Sequence, residues 1–323
     1  MSDPYEQPQP GAHYHRTPAI TANFWMMRLL PWAPIRRALG GALAGYIRAI
    51  RPSAGLPEDS PALAGAAEEL RRSGIASIPP VYSPSQLDDV RTYLAEQELV
   101  SRPGGLRFRA SEAPPEVGLA SYPLAVVARC PHVADLMNRP ELLAIARRYL
   151  GCTPTIAQLG LDWSAPSSNE PWSVQRFHRD YDDWRVLKLF VYLTDVDEGS
   201  GPHEYVLGSH RDSGRIRALP YSAEDIDRRY GAQGRRQVLG PRGTSFLADT
   251  WGIHKGNVPT SRPRLMLQVQ YSVLPVFRFA YEPVPVPQAD RYDRYVNRLI
   301  LAPGGGAESA PFAQDQAKNQ VRP

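Results

Sequence analysis

A chain of 323 residues is long enough to bury a large core, as two domains or as one long all-β unit. Its 37 Lys and Arg against 33 Asp and Glu leave a formal charge of +4, interspersed in sign and without a basic run, which argues against a nucleic-acid partner. Two cysteines, Cys130 and Cys152, match neither a zinc spacing nor a disulfide framework, so a reducing, cytoplasmic setting is expected.

Residues 1–19 are polar and proline-rich, and no positive region precedes an apolar core, so no signal peptide is expected. No stretch reaches 18 uninterrupted apolar residues, so no membrane span is expected either. Residues 20–50 place Phe24, Trp25, Met26, Leu29, Trp32 and Ile35 among Arg28, Arg36, Arg37 and Arg48. This reads as two helices separated at Pro31 and Pro34. Such a basic amphipathic segment can dock on a membrane surface, or pack on the main domain or another subunit. The main domain is expected over residues 51–301. Residues 302–323, rich in Gly, Ala, Pro and Gln, read as a disordered tail.

Within that domain, residues 61–70 read as a helix and 75–81 as a short strand. A helix over 85–100 starts from a Ser83 cap and repeats Leu87, Val90, Leu94 and Val100. Residues 101–123 read as a long irregular loop, a candidate lid. Residues 133–150 read as one helix. Strands follow at 156–163, 174–180, 187–194, 205–207, 236–239, 244–248 and 264–273, with a helix at 222–230. Short strands after helices argue for a mainly β fold with flanking helices, a sandwich or barrel.

The stretch 175–184 carries the chemistry. His178 and Asp180 are two apart, so on an extended strand their side chains share a face. His254 is the candidate third ligand. Two histidines and a carboxylate leave open positions on a metal, the set that suits non-haem Fe(II) oxygenases. His178 with Asp180 alone could instead be a structural hydrogen-bonded pair. Asp182 and Asp183 are rival carboxylates, and His203 and His210 rival imidazoles, all read as loop or turn residues. By period two, Lys188 shares a face with Phe190 and Tyr192, opposite the aliphatic Leu187, Leu189 and Val191. That turns Lys188 inward, toward a carboxylate, unless it snorkels at the strand end. Proline is tolerated mainly at a strand's start, so Pro263 leaves Arg262 in the loop and starts the strand near Arg264. Arg264, Met266, Gln268 and Gln270 then form the more polar, inward face. Trp163, Trp172, Tyr181 and Trp184 flank the motif and are candidate substrate contacts, or simple core.

The His178-x-Asp180 pair, residues 187–197, the Gly-Pro at 201–202, the Gly-Ser-His at 208–210, His254 and the following Arg264 together resemble the phytanoyl-CoA dioxygenase family of Fe(II)/2-oxoglutarate oxygenases. The resemblance covers residues 66–272. It implies a double-stranded β-helix (jelly-roll, cupin-like) core at about 155–275. It implies Fe(II) on His178, Asp180 and His254, with 2-oxoglutarate taking two metal positions and O2 the third, and release of succinate and carbon dioxide. A carboxylate ligand at Asp180 implies hydroxylation rather than halogenation. Arg264 would hold the far carboxylate of 2-oxoglutarate through its planar fork, with Lys188 as a second candidate. Two departures stand out: the spacing from His254 to Arg264 is about one residue short of the family's, and Gly256 stands where relatives often carry Ser or Thr. Thr260 or Ser261 could substitute. The implied substrate is a small organic or lipid-linked molecule. Desaturation or cyclisation at the same iron, and a non-redox metal-binding barrel, are the alternatives.

Overall fold

The computed structural model describes residues 18–303 apart from 53–60, 103–104, 168–170, 172, 217–219, 278 and 280. The two expected tails, up to residue 17 and from residue 304, and Trp172 lie outside the described residues.

Helices come first: α1 (Pro18–Leu29), α2 (Ala33–Ile50) and α3 (Pro61–Ser73). Strand β1 (Ile75–Ile78) leads to α4 (Pro84–Ala95), whose start is a capping box. The Ser83 hydroxyl accepts the Gln86 N–H at 3.2 Å and the Gln86 side chain accepts the Ser83 N–H at 3.0 Å. The helix stops at Ala95, short of Val100, because Val100 pairs with Arg107 on one side and Ser121 on the other. The expected lid is therefore sheet: β2 (Glu98–Ser101), β3 (Arg107–Arg109) and β4 (Leu119–Ser121). The expected helix at 133–150 is broken at Pro140, which opens a new first turn rather than sitting in a helix interior. The result is α5 (Leu124–Arg129), α6 (Val133–Met137) and α7 (Pro140–Leu150).

Next come β5 (Thr155–Ser164), β6 (Val186–Tyr192), β7 (His203–Val206), β8 (Arg235–Val238), β9 (Ser245–Ala248), β10 (His254–Gly256) and β11 (Arg264–Ser272), with α8 (Ala223–Tyr230) before β8, and a short parallel pair, β12 (Val284–Pro285) with β13 (Leu301–Ala302), follows. Residues 174–180 do not form the expected strand. A 3-10 turn at Ser173–Gln175 precedes isolated bridges at Phe177 and His178.

An eight-stranded antiparallel sheet runs β1-β9-β6-β11-β5-β4-β2-β3, and a separate three-stranded sheet runs β10-β7-β8. This corrects the expected mainly β jelly-roll core. The fold is mixed α/β, and no sheet among the described residues closes into a barrel. The large sheet ends instead in two short edges, four-residue β1 and three-residue β3. β3 turns Arg107 and Arg109 to solvent, and charged short edges discourage further pairing. Helices also cover one face. Leu187, Leu189 and Val191 of β6 and Leu267, Val269 and Tyr271 of β11 pack with Leu87, Val90 and Leu94 of α4 and Leu142 and Leu150 of α7. The opposite face, with Phe190, Tyr192, Phe246 and Met266, packs on Tyr205 and Val238 of the small sheet. Burial on both sides explains why all seven residues of β6 are buried.

Helix α2 docks through a stripe of Ala33, Arg36, Gly40, Ala44 and Ile47. Arg36 is 0% exposed, and its guanidinium lies 5.4, 5.1 and 5.2 Å from the rings of Tyr181, Trp184 and Trp251. Burial pushes its pKa down to about 10, against the pull of Tyr181 and Asp183, which leaves it charged at neutral pH. A desolvated cation–aromatic contact contributes about 2 kcal/mol. The Trp184 indole also donates to Asn23 of α1 at 2.7 Å. One face of the N-terminal segment therefore packs on the main domain. Its outward face shows Trp25, Met26, Leu29, Trp32, Ile35, Leu39, Tyr46 and Ile50. No described helix is long and apolar enough to cross a membrane.

Candidate metal centre

The segment carrying His178 is stitched to β10 by its backbone. The His178 N–H donates to the His254 carbonyl and the His254 N–H to the His178 carbonyl, both at 3.0 Å, while the Asp180 N–H donates to the Thr250 carbonyl at 2.9 Å. Between the two motif residues, Arg179 points the other way. It donates to the Ser209 and Trp251 carbonyls at 2.9 and 2.7 Å and pairs with Asp212. Arg179 is buried and fixes the alternation that sends His178 and Asp180 inward. A charged residue wedged between two candidate ligands was its only signal in the sequence.

Each histidine is oriented by its own chain. His178 Nδ1 lies 2.8 Å from the Arg176 carbonyl, and His254 Nδ1 2.9 Å from the Gly252 carbonyl. Each Nδ1 thus carries the proton, and each Nε2 presents a lone pair. Those Nε2 atoms lie 3.5 and 3.8 Å from the two Asp180 carboxylate oxygens. One ligand atom from each residue lies within 4.8 Å of the others, close enough to share one ion. Burial, then the neighbouring His178, pushes the His254 pKa down to about 3, so its imidazole is neutral and ready to ligate. The Asp180 carboxyl is held well below its usual range, because Lys188, His254 and His178 outweigh its burial. The donor set fits a divalent iron with open positions. Gly252 is required here: a Cβ would stand 1.8 Å from the Tyr205 hydroxyl, which donates to the Asp249 carbonyl at 2.7 Å.

Lys188 is buried and turned inward. Its ammonium lies 2.7 Å from an Asp180 oxygen and 3.8 Å from Asp182, so its carboxylate partners belong to the protein. Asp183 faces away from the ligands, accepting the N–H groups of Trp184, Val273 and Leu274 and tying the motif to the end of β11. Asp249 accepts from the Tyr149 hydroxyl at 2.6 Å, a structural role. His210 sits under α3, 3.1 Å from the Arg71 carbonyl.

Arg264 begins β11 and is 4% exposed. It shares the site face with Met266, donates to the Gly201 carbonyl, and leaves its Nε without a protein partner. Burial lowers its pKa, although Tyr192 and Asp162 oppose this. Gly256 makes room for it, since a Cβ there would stand 2.9 Å from an Arg264 nitrogen. Arg262 lies in the preceding loop, 59% exposed and paired with Asp197. Thr260 and Ser261 are exposed against Gly199 and do not fill the place of a residue-256 hydroxyl.

Of the aromatic candidates, Tyr181, Trp184 and Trp163 are held by contacts other than the metal ligands. Tyr181 and Trp184 enclose Arg36. Trp163 faces the helices and meets Phe108 edge-on at 5.9 Å, because neighbours on β5 alternate between faces. His203, read from the sequence as a turn residue, is instead buried in β7, with its ring centroid 5.5 Å from that of His254. Its imidazole is held well below the usual histidine pKa by burial, then by His254 and Arg264.

No curated protein matches the chain. Among solved structures it is similar to EctD from S. alaskensis in its apo form, at 20% identity and a TM-score of 0.50 over 77% of this chain and 90% of that one. EctD from S. alaskensis with bound Fe matches at 18% identity and a TM-score of 0.51, covering 79% and 93%. These likenesses concern the fold. A family model described as Phytanoyl-CoA dioxygenase (PhyH) matches residues 70–264, and with that match over more than half its length the chain belongs to the phytanoyl-CoA dioxygenase family of Fe(II)/2-oxoglutarate-dependent oxygenases.

Proposed function

We propose that the protein hydroxylates a C–H bond of a small organic or lipid-linked substrate, consuming O2 and 2-oxoglutarate and releasing succinate and carbon dioxide. The observation that carries this reading is Arg264: a buried guanidinium packed against Gly256, two residues after the candidate ligand His254, with no carboxylate paired to it among the described residues. A buried charge left without a counter-ion costs several kcal/mol, so this position calls for an anion. A dicarboxylic 2-oxo acid supplies one at the reach of an arginine fork. Bound Fe(II) would supply the oxidative chemistry. His178, His254 and Asp180 would hold it, and Lys188 would hold one oxygen of Asp180 so that the other faces the metal.

The test is turnover of 2-oxoglutarate by full-length protein with Fe(II), read as succinate formed and oxygen consumed across a substrate screen. A product heavier by one oxygen atom is expected. A product lighter by two hydrogens would replace hydroxylation with desaturation or cyclisation, and absence of succinate with every substrate would overturn the reading.

The outward face of α1 and α2 supports contact with an anionic lipid surface. Its exposed tryptophans and aliphatics lie in a segment, residues 18–52, that carries Arg28, Arg37, Arg48 and Arg51 but no acidic residue. Full-length protein is expected to co-sediment with anionic vesicles and not with zwitterionic ones. Equal recovery with both would remove the lipid role.

A further inference from the structure

His203 is a buried side chain whose Nε2 has no hydrogen-bond partner in the fold. β7 sets it directly opposite Gly256 of β10, and two residues along the same ladder Tyr205 faces His254. Residues directly opposite on antiparallel strands share a face, so His203 and His254 look the same way, across to the eight-stranded sheet. The His203 ring packs 4.8 Å from Phe190 and 5.2 Å from Phe246, and the residue is 2% exposed. Its Nε2 is closed to solvent and has no hydrogen-bond partner.

The same description fits the neighbouring cation. Arg264 lies against Gly256, where a Cβ would stand 2.9 Å from its guanidinium, and is buried with its own Nε unpartnered. Two unsatisfied nitrogens thus flank the one residue of β10 that has no side chain. Leaving such groups buried and unpaired is unfavourable unless an acceptor arrives. Packing alone gives no reason for an imidazole here, since a leucine would fill the space between Phe190 and Phe246 without burying a polar atom. His203 is also outside the group of ligand atoms that converge on a metal.

We propose that His203 positions the co-substrate: its Nε2–H donates a hydrogen bond to the distal carboxylate of 2-oxoglutarate, beside the fork of Arg264. This rests on the 2-oxoglutarate reading above. A carboxylate offers about four lone-pair sites, so it can accept from both residues at once. The flanking phenyl rings exclude water and strengthen the contact.

The experiment is anaerobic equilibrium binding to full-length Fe(II)-loaded protein, with 2-oxoglutarate and with 2-oxobutyrate, which lacks the distal carboxylate. His203→Leu is expected to weaken 2-oxoglutarate binding about 10- to 100-fold. Binding of 2-oxobutyrate and of Fe(II) should stay within about twofold of wild type, and His203→Gln, which keeps an N–H donor, should recover part of the loss. Wild-type 2-oxoglutarate affinity in His203→Leu would make the residue a packing element and overturn the proposal. So would equal losses for both 2-oxo acids, or a matching loss of Fe(II). Wild-type protein that binds Fe(II) but no 2-oxoglutarate would instead overturn the co-substrate reading, and this proposal with it.

Discussion

Replacing His254 by alanine is expected to abolish 2-oxoglutarate turnover and to weaken Fe(II) binding by at least about a hundredfold, since even residues that only support a metal ligand account for about 10- to 100-fold. The fold should survive. The contacts of His254 that stitch β10 to the motif segment are made by its backbone N–H and carbonyl, which alanine keeps. Its imidazole is neutral, so its removal strands no buried charge. Asp180→Ala should weaken Fe(II) binding equally but cost stability as well, because the Lys188 ammonium, 2.7 Å away, loses its nearest counter-ion. His178→Ala should resemble His254→Ala. Anaerobic Fe(II) titration with a thermal melt on each variant separates these cases. Wild-type iron affinity in His254→Ala would remove that residue from the centre.

Arg264→Ala is expected to raise the 2-oxoglutarate requirement by at least about 30-fold, while Arg262→Ala changes it by less than about threefold. The two residues differ in surroundings, not in chemistry. Arg264 is buried at the start of β11 with no carboxylate partner, and truncating one member of a buried charge pair costs roughly 2–5 kcal/mol. Arg262 is largely exposed and already paired with Asp197, the kind of surface pair that contributes little. Titration of 2-oxoglutarate against both variants decides the matter. The reverse ranking would move the anchor to Arg262, and no effect in either would leave the buried guanidinium without a ligand.

What could be read from the sequence was local. Period-two alternation placed Lys188 with Phe190 and Tyr192, and Arg264 with Met266, on the site face, because a strand buried on one side by helices has little freedom of register. The convergence of His178, Asp180 and His254 was legible as a motif, although the segment holding the first two is not a regular strand. What escaped were decisions made at a distance. Tyr181 and Trp184 are claimed by an arginine some 150 residues earlier in the chain, a partnership that no local pattern announces. His203 follows Gly-Ser-Gly-Pro, a turn signal, and its strand is only four residues long, so burial by Phe190 and Phe246 was invisible. The closed barrel failed for a similar reason. Strand count and length suggest sheets, but whether their edges meet depends on what covers them.

The position of β11 has a consequence for how the protein is made. It pairs with β5 on one side and β6 on the other, with partners such as Leu161 and Leu267 roughly a hundred residues apart. While the chain emerges from the ribosome, β5 and β6 appear early and cannot pair across the gap that β11 will occupy. Two apolar strand edges must then wait, uncovered, for the last long strand. Such late, non-local insertion slows folding and lengthens exposure to aggregation. A chain halted before Arg264 is thus a half-built sheet with a templating edge on each side of its missing centre.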